Sequence, residues 1–147
     1  MSDLASQSQF RSMRDAARSI FLQALADASI RAGFARHVQC DRGILRVCED
    51  LYDLDSYSRV LGISLGKAAH TMVEALSAQV GMSVEGIVAS SVLPESQMRG
   101  YRYFSAGHPM PNAESIHAAH AILRTLEAQP ASALVIYMIS GGGSSLV

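Results

Sequence analysis

Apolar and polar residues recur along this chain in two periods, and the switches between them predict its elements. Over 6–27, Phe10, Met13, Ala17, Ile20, Phe21, Ala24 and Leu25 fall on one stripe at helical spacing. Arg11, Arg14, Asp15, Arg18 and Gln23 lie mostly outside it, so an amphipathic helix is predicted. A second short helix is expected over 28–37, followed by a break at 39–43. Residues 44–48, ILRVC, read as a short strand. Glu49, Asp50, Asp53 and Asp55 then surround Tyr52 and Leu54. This acidic stretch lacks the ligand order and central glycine of a calcium loop and reads as a solvated turn.

The pattern then becomes regular. Residues 58–64 predict a strand. A helix follows over 66–79, with Ala68, Met72, Val73 and Leu76 on its buried side and Gly81 as its stop. A strand is expected over 86–89, a loop over 91–100, and another strand over 101–105 with Tyr101, Tyr103 and Ser105 on one face. Pro109 and Pro111 exclude helix and central strand from the connector at 107–112. Asn112 is placed to cap a helix over 113–128. The apolar run at 133–139 has no helical stripe and predicts a parallel strand buried on both faces. Strands alternating with helices imply right-handed crossovers. The expected fold is α/β: a Rossmann-like three-layer domain with a mainly parallel sheet, incomplete at its C-terminus.

Bulk properties narrow the function classes. The 147 residues suit one domain, 1–147, and a hydrophobic share of 49% is enough for a real core. A net charge of −1 offers nucleic acid and anionic membrane no bulk attraction. No apolar run approaches the ~18 residues of a membrane span, and residues 1–9 lack the basic-then-apolar order of a secretory signal. Cys40 and Cys48 fit neither a redox pair nor a zinc spacing and read as free thiols. A soluble cytoplasmic protein is the expectation, with no nucleic-acid or membrane partner.

Two segments carry candidate chemistry. The last strand runs into Ser140-Gly141-Gly142-Gly143-Ser144-Ser145. Consecutive glycines admit positive φ and bring bare N–H groups near a ligand, an arrangement suited to phosphate. The strand at 58–64 runs into Gly66-Lys67, which opens a helix. A lysine there sits at the carboxyl edge of a parallel sheet, where ligands bind in open α/β folds. It opposes the helix dipole, a small cost that makes sense if the ammonium serves an anion. The segment is not a Walker A loop. Gly62 to Gly66 is one residue short, and Ala68 replaces the hydroxyl residue that would hold magnesium. Gly141-x-Gly143-x-x-Leu146 is a near miss to the dinucleotide fingerprint, with leucine at the third position. His108 lies in a loop that also returns to the carboxyl edge. His117 and His120 read as surface residues of the helix at 113–128, with no further metal ligand at suggestive spacing.

Taken together, five segments resemble a known family. They are Arg18-x-Ile20-Phe21-x-x-Ala24-Leu25, Tyr52-Asp53-Leu54-x-x-Tyr57-x-Arg59-Val60, Gly66-Lys67-Ala68-Ala69-x-x-Met72, His108-Pro109-x-Pro111-Asn112-x-x-Ser115 and Ile139-Ser140-Gly141-Gly142-Gly143-Ser144. Their order and spacing are similar to those of the N-terminal domain of the type II glycerate kinases, or glycerate 2-kinases, a family that has also carried the label hydroxypyruvate reductase. The resemblance extends from about Phe10 to the end of the chain, truncated after the glycine loop. It implies ATP-dependent phosphorylation of the 2-hydroxyl of D-glycerate, with magnesium, in a cleft between two domains.

By the same resemblance, Lys67 matches the family's functional lysine. Gly66, His108, Ser140, Gly141, Gly142, Gly143 and Ser144 match its substrate- and phosphate-binding segments; no metal ligand is assigned. Ser64 and Leu65 depart from the family's glycine and small residue before the Gly-Lys pair. The family's second domain, or a second polypeptide supplying it, is an expected partner. Alone, the chain is expected to bind ATP weakly or not at all, to self-associate and not to phosphorylate glycerate, because the helix that would support its glycine loop is cut away. Two other readings stay open: an NAD(P)-dependent hydroxypyruvate reductase-type oxidoreductase, and a non-catalytic α/β remnant.

Overall fold

The computed structural model describes residues 2–147. Four strands form one parallel sheet: β4 (Arg59–Leu65), β5 (Glu85–Ser90), β6 (Tyr101–Ser105) and β7 (Ala133–Ile139), in the order β6-β5-β4-β7. They follow an N-terminal section of α1 (Ser2–Asp27), α2 (Ile30–His37) and three short strands: β1 (Val38–Asp41), β2 (Ile44–Val47) and β3 (Asp50–Asp53). The helix α3 (Ala69–Val80) connects β4 to β5, and α4 (Ala113–Glu127) connects β6 to β7. Residues of α3 pack on one sheet face with Val88, Tyr101 and Met138. Those of α4 pack on the other with Leu61, Ile63, Ile87 and Phe104. This is the expected three-layer α/β domain.

The central strands are dry. Every residue of β4 from Val60 to Ser64 is buried, and only Glu85 of β5 is exposed. Gly62 and Gly86 face each other across β4 and β5 because the Tyr101 ring lies over both. A Cβ on Gly62 would stand 2.5 Å from the Tyr101 hydroxyl oxygen. That hydroxyl is buried without a hydrogen-bond partner among the described residues. Burial first, and the neighbouring Tyr103 second, push its pKa up to about 12.

Helix ends follow their local chemistry. Gly81 closes α3 in the left-handed conformation, φ 65°. Asn112 caps α4 in a reciprocal box with Ser115, whose N–H donates to Asn112 Oδ1 at 2.9 Å.

Three expectations are corrected. The break at 39–43 and the acidic turn are strands β1 and β3, so 44–48 is the middle of an antiparallel three-stranded sheet. Arg42 and Gly43 both take positive φ, 48° and 82°, as a two-residue primed hairpin turn requires. The acidic residues are exposed all the same, and Asp53 caps a 3-10 turn through the N–H of Asp55 at 3.1 Å. The strand β7 is not buried on both faces. It forms an edge of the sheet among the described residues, so Tyr137 and Ile139 are exposed and only Met138 is fully buried. The helix α1 forms, but its apolar stripe packs on nothing described: Phe10, Met13, Ile20, Phe21 and Leu25 are 59–71% exposed. Among the described residues, no helix is long and apolar enough to cross a membrane.

Candidate functional site

Parallel pairing of β4 with β7 places their following loops side by side at the carboxyl edge. Gly66 turns the chain out of β4 at φ 114°, a conformation that favours glycine. Four hydrogen bonds then join the two loops. Lys67 N–H donates to Gly141 O at 3.1 Å, and Ala68 N–H to Ser140 Oγ at 3.1 Å. Ser140 N–H donates to Leu65 O at 2.9 Å, and its hydroxyl to the same carbonyl at 3.3 Å. A Cβ on Gly66 would lie 2.2 Å from Ser140 Oγ. The lysine turn and the glycine loop are therefore one assembly.

His108 joins them from β6. The Cβ direction of Gly142 points at a spot 3.0 Å from His108 Cδ2 and 3.6 Å from Lys67 Cε. With no side chain there, the imidazole and the lysine stem can both approach Gly142. The 107–112 connector is held by Ser115. Its buried hydroxyl accepts the N–H groups of Gly107 and Asn112, both at 3.2 Å. Asn112 Nδ2 donates to Ser105 O at 3.2 Å, pinning the connector to the end of β6.

Gly66, Lys67, His108 and the 140–144 loop thus converge at one edge, but their groups divide into two kinds. Ser140 spends its hydroxyl on the Lys67 turn. Gly143 is buried, and its N–H donates to Ser140 O at 3.2 Å. Both face inward and build the loop. Gly141 and Gly142 donate to no described residue through their N–H groups. The Lys67 ammonium and the Ser144 hydroxyl are exposed, and Lys67 forms no ion pair among the described residues. An anion meeting this edge finds an ammonium, two N–H donors and an imidazole.

The loop is also supported from within the chain. Residues Gly143–Ser145 begin a 3-10 turn, and Leu146 is fully buried beneath it. Neither Leu146 nor Ser115 was assigned a site role from sequence. The signal for Ser115 was its spacing from Asn112, which fits a capping box.

The donors present suit phosphate oxygens. They do not suit a divalent cation: no group of three His, Cys, Asp or Glu residues that could hold one exists among the described residues. His117 and His120 lie away from this edge on α4, and His117 pairs with Glu114 at 2.9 Å.

An open parallel sheet with a glycine loop and a lysine turn at its carboxyl edge defines a Rossmann-like α/β domain. Residues 16–147 match the family described as "Domain of unknown function (DUF4147)", and the chain belongs to that family. Its relatives give the domain its place, at the N-terminus of glycerate 2-kinases. The chain is 30% identical over 90 residues to the D-glycerate 2-kinase of Thermotoga maritima, covering 60% of this chain and 22% of that one. It is 32% identical over 88 residues to the glycerate 2-kinase of Pyrococcus horikoshii, covering 60% and 20%. The crystal structure of the PH0495 protein from Pyrococcus horikoshii OT3 superposes with a TM-score of 0.75 at 26% identity, over 88% of this chain and 30% of that one. The matched stretch thus spans less than a third of each relative.

Proposed function

We propose that this domain supplies the phosphate-handling edge of an ATP-dependent glycerate 2-kinase, which converts D-glycerate and ATP to 2-phosphoglycerate and ADP. The observation that carries the reading is that Lys67 and His108 both flank Gly142, beside two loop N–H groups with no acceptor among the described residues, in a member of this family. In the reaction the 2-hydroxyl oxygen bonds to the γ-phosphorus as the bond to the β–γ bridging oxygen breaks, ADP leaves with that oxygen, and the hydroxyl proton is released to solvent. Such transfer is mostly positioning and charge neutralisation. In this reading Lys67 neutralises a phosphate or the glycerate carboxylate. Gly141 and Gly142 hydrogen-bond phosphate oxygens, and His108 borders them. Magnesium accompanies ATP, and no step is assigned to it because no carboxylate of this edge would hold it. The remaining charged groups belong to a second domain, or to a second polypeptide in its place. Free Cys40 and Cys48 support a cytoplasmic setting.

The oxidoreductase reading ranks behind. A dinucleotide fingerprint uses its third glycine for close helix–strand packing, and here the buried Leu146 side chain fills that position. Amide NMR of the labelled chain separates the readings. Buried Leu146 holds the loop, so weak binding is expected rather than none: millimolar ATP should shift Gly141 and Gly142, and Lys67→Ala should abolish the shift. A response to NADH but not ATP would move the protein to the oxidoreductase class. No response to ATP, NADH or D-glycerate would leave a non-catalytic remnant and refute the proposal.

A further inference from the structure

The sheet face under α4 carries a second polar feature, separate from the carboxyl edge. Leu61, Ile87 and Phe104 of this face pack against Ala118, Ala121 and Ile122. Strand alternation puts Arg59, Glu85 and Arg102 on the same face, toward the amino ends of the strands. The helix does not cover them, and a cavity of about 560 Å³ opens between it and the sheet.

The charged lining is lopsided. Arg59, Arg102, Arg124, His117 and His120 face it with one carboxylate, Glu114. Arg59 is spoken for by Glu85, and Glu114 by His117 at 2.9 Å. Arg102 and Arg124 have no carboxylate partner among the described residues. The Arg102 guanidinium stands 5.4 Å from the centroid of the Phe104 ring, a contact that restrains its planar head. Unpaired cations in a concave site with apolar walls concentrate a positive potential. Guanidinium groups match phosphate oxygens through paired N–H donors. Two of them without counter-charge suit a dianion better than a monoanion. The volume is in the range of small-molecule sites.

We propose that this cavity is a second binding site, for a phosphorylated small molecule whose phosphoryl group sits between Arg102 and Arg124. It does not depend on the kinase reading, since none of its residues belongs to the carboxyl edge.

Inorganic pyrophosphate is the probe, titrated into the full chain carrying Lys67→Ala so that the other site stays silent. Amide signals of Arg102, Ala121 and Arg124 should shift and saturate. Arg102→Gln and Arg124→Gln should each weaken binding at least tenfold, and sodium chloride at matched ionic strength should not reproduce the shifts. Both side chains are exposed, so the variants should melt with the parent. If one unfolds, the lysine substitution at that position replaces it and should still weaken binding, because the paired donors are lost. Shifts that fail to saturate, map elsewhere or survive both substitutions would overturn the assignment. So would capture of a polyglutamate peptide without any response to pyrophosphate, which would make the groove a protein-docking surface.

Discussion

Alanine at Gly66 should separate the two loops that form the carboxyl edge, whereas alanine at Gly141 should not. The new Cβ at Gly66 would lie 2.2 Å from Ser140 Oγ and 2.6 Å from Ser140 O. Ordinary contact needs about 3.5 Å, so the loops must part by roughly 1 Å. That displacement takes the Lys67–Gly141, Ala68–Ser140 and Ser140–Leu65 bonds, now 2.9–3.1 Å, out of range. A non-glycine residue at φ 114° adds strain of about 1–3 kcal/mol. With each of the three lost bonds at about 1 kcal/mol, the total is roughly 4–6 kcal/mol before relaxation. Gly142 also has positive φ, but its Cβ would meet the end of the movable His108 ring at 3.0 Å. There the cost should be about 1–2 kcal/mol, with the binding edge blocked. A Cβ on Gly141 meets nothing within 4 Å, so its change in stability should stay within about 0.5 kcal/mol. Urea denaturation of the three variants at constant m-value reads these differences, and ATP-induced amide shifts read the edge. Equal damage at Gly141 and Gly66, or a Gly66→Ala variant as stable as the parent, would refute the account of the joined loops.

Three further outcomes are expected. Tyr101→Phe removes a buried hydroxyl that has no partner and should stabilise the chain by about 1 kcal/mol at neutral pH. Because the folded pKa is raised to about 12, the parent keeps full stability below the ordinary value of 10 and loses roughly 1.4 kcal/mol per pH unit above it. Thermal melts from pH 9 to about 12 should therefore fall more steeply for the parent than for the variant, and parallel curves would contradict the burial argument. Ser115→Ala leaves the Gly107 and Asn112 N–H groups without their acceptor, which should cost about 1–3 kcal/mol and shift the His108 ring signals; an unmoved ring would separate Ser115 from the site. The chain alone should form no 2-phosphoglycerate from ATP and D-glycerate, and turnover that disappears with Lys67→Ala would show that one domain suffices.

The sheet was legible because its strands are apolar runs between well-marked breaks. Periodicity and the glycines at 66 and 81 were enough to place β4, α3 and β5. Of the small sheet, only β2 was legible. Its strands are four residues long, and Asp41, Asp50 and Asp53 lower their strand propensity. One of its turns places Arg42, a residue seldom found at positive φ, before Gly43. What covers β7 and the α1 stripe was illegible for a different reason. Composition states that a segment is apolar, but only the fold states whether something covers it.

The carboxyl edge shows the same limit at the scale of single atoms. Sequence brought Lys67, His108 and the 140–144 loop to one end of a parallel sheet by strand order alone, since each follows a strand of that sheet. It could not divide the loop, because Ser140 and Ser144 look alike as letters, as do Gly141 and Gly143. The division comes from β4 and β7 being neighbours. Their adjacency gives Ser140 the Leu65 carbonyl and the Ala68 N–H to bind, and leaves Gly141 and Gly142 with no acceptor among the described residues. A strand inserted between β4 and β7 would have freed the Ser140 hydroxyl for a ligand and removed the neighbour that makes glycine obligatory at position 66. The site's chemistry is thus set by strand order before it is set by residue type.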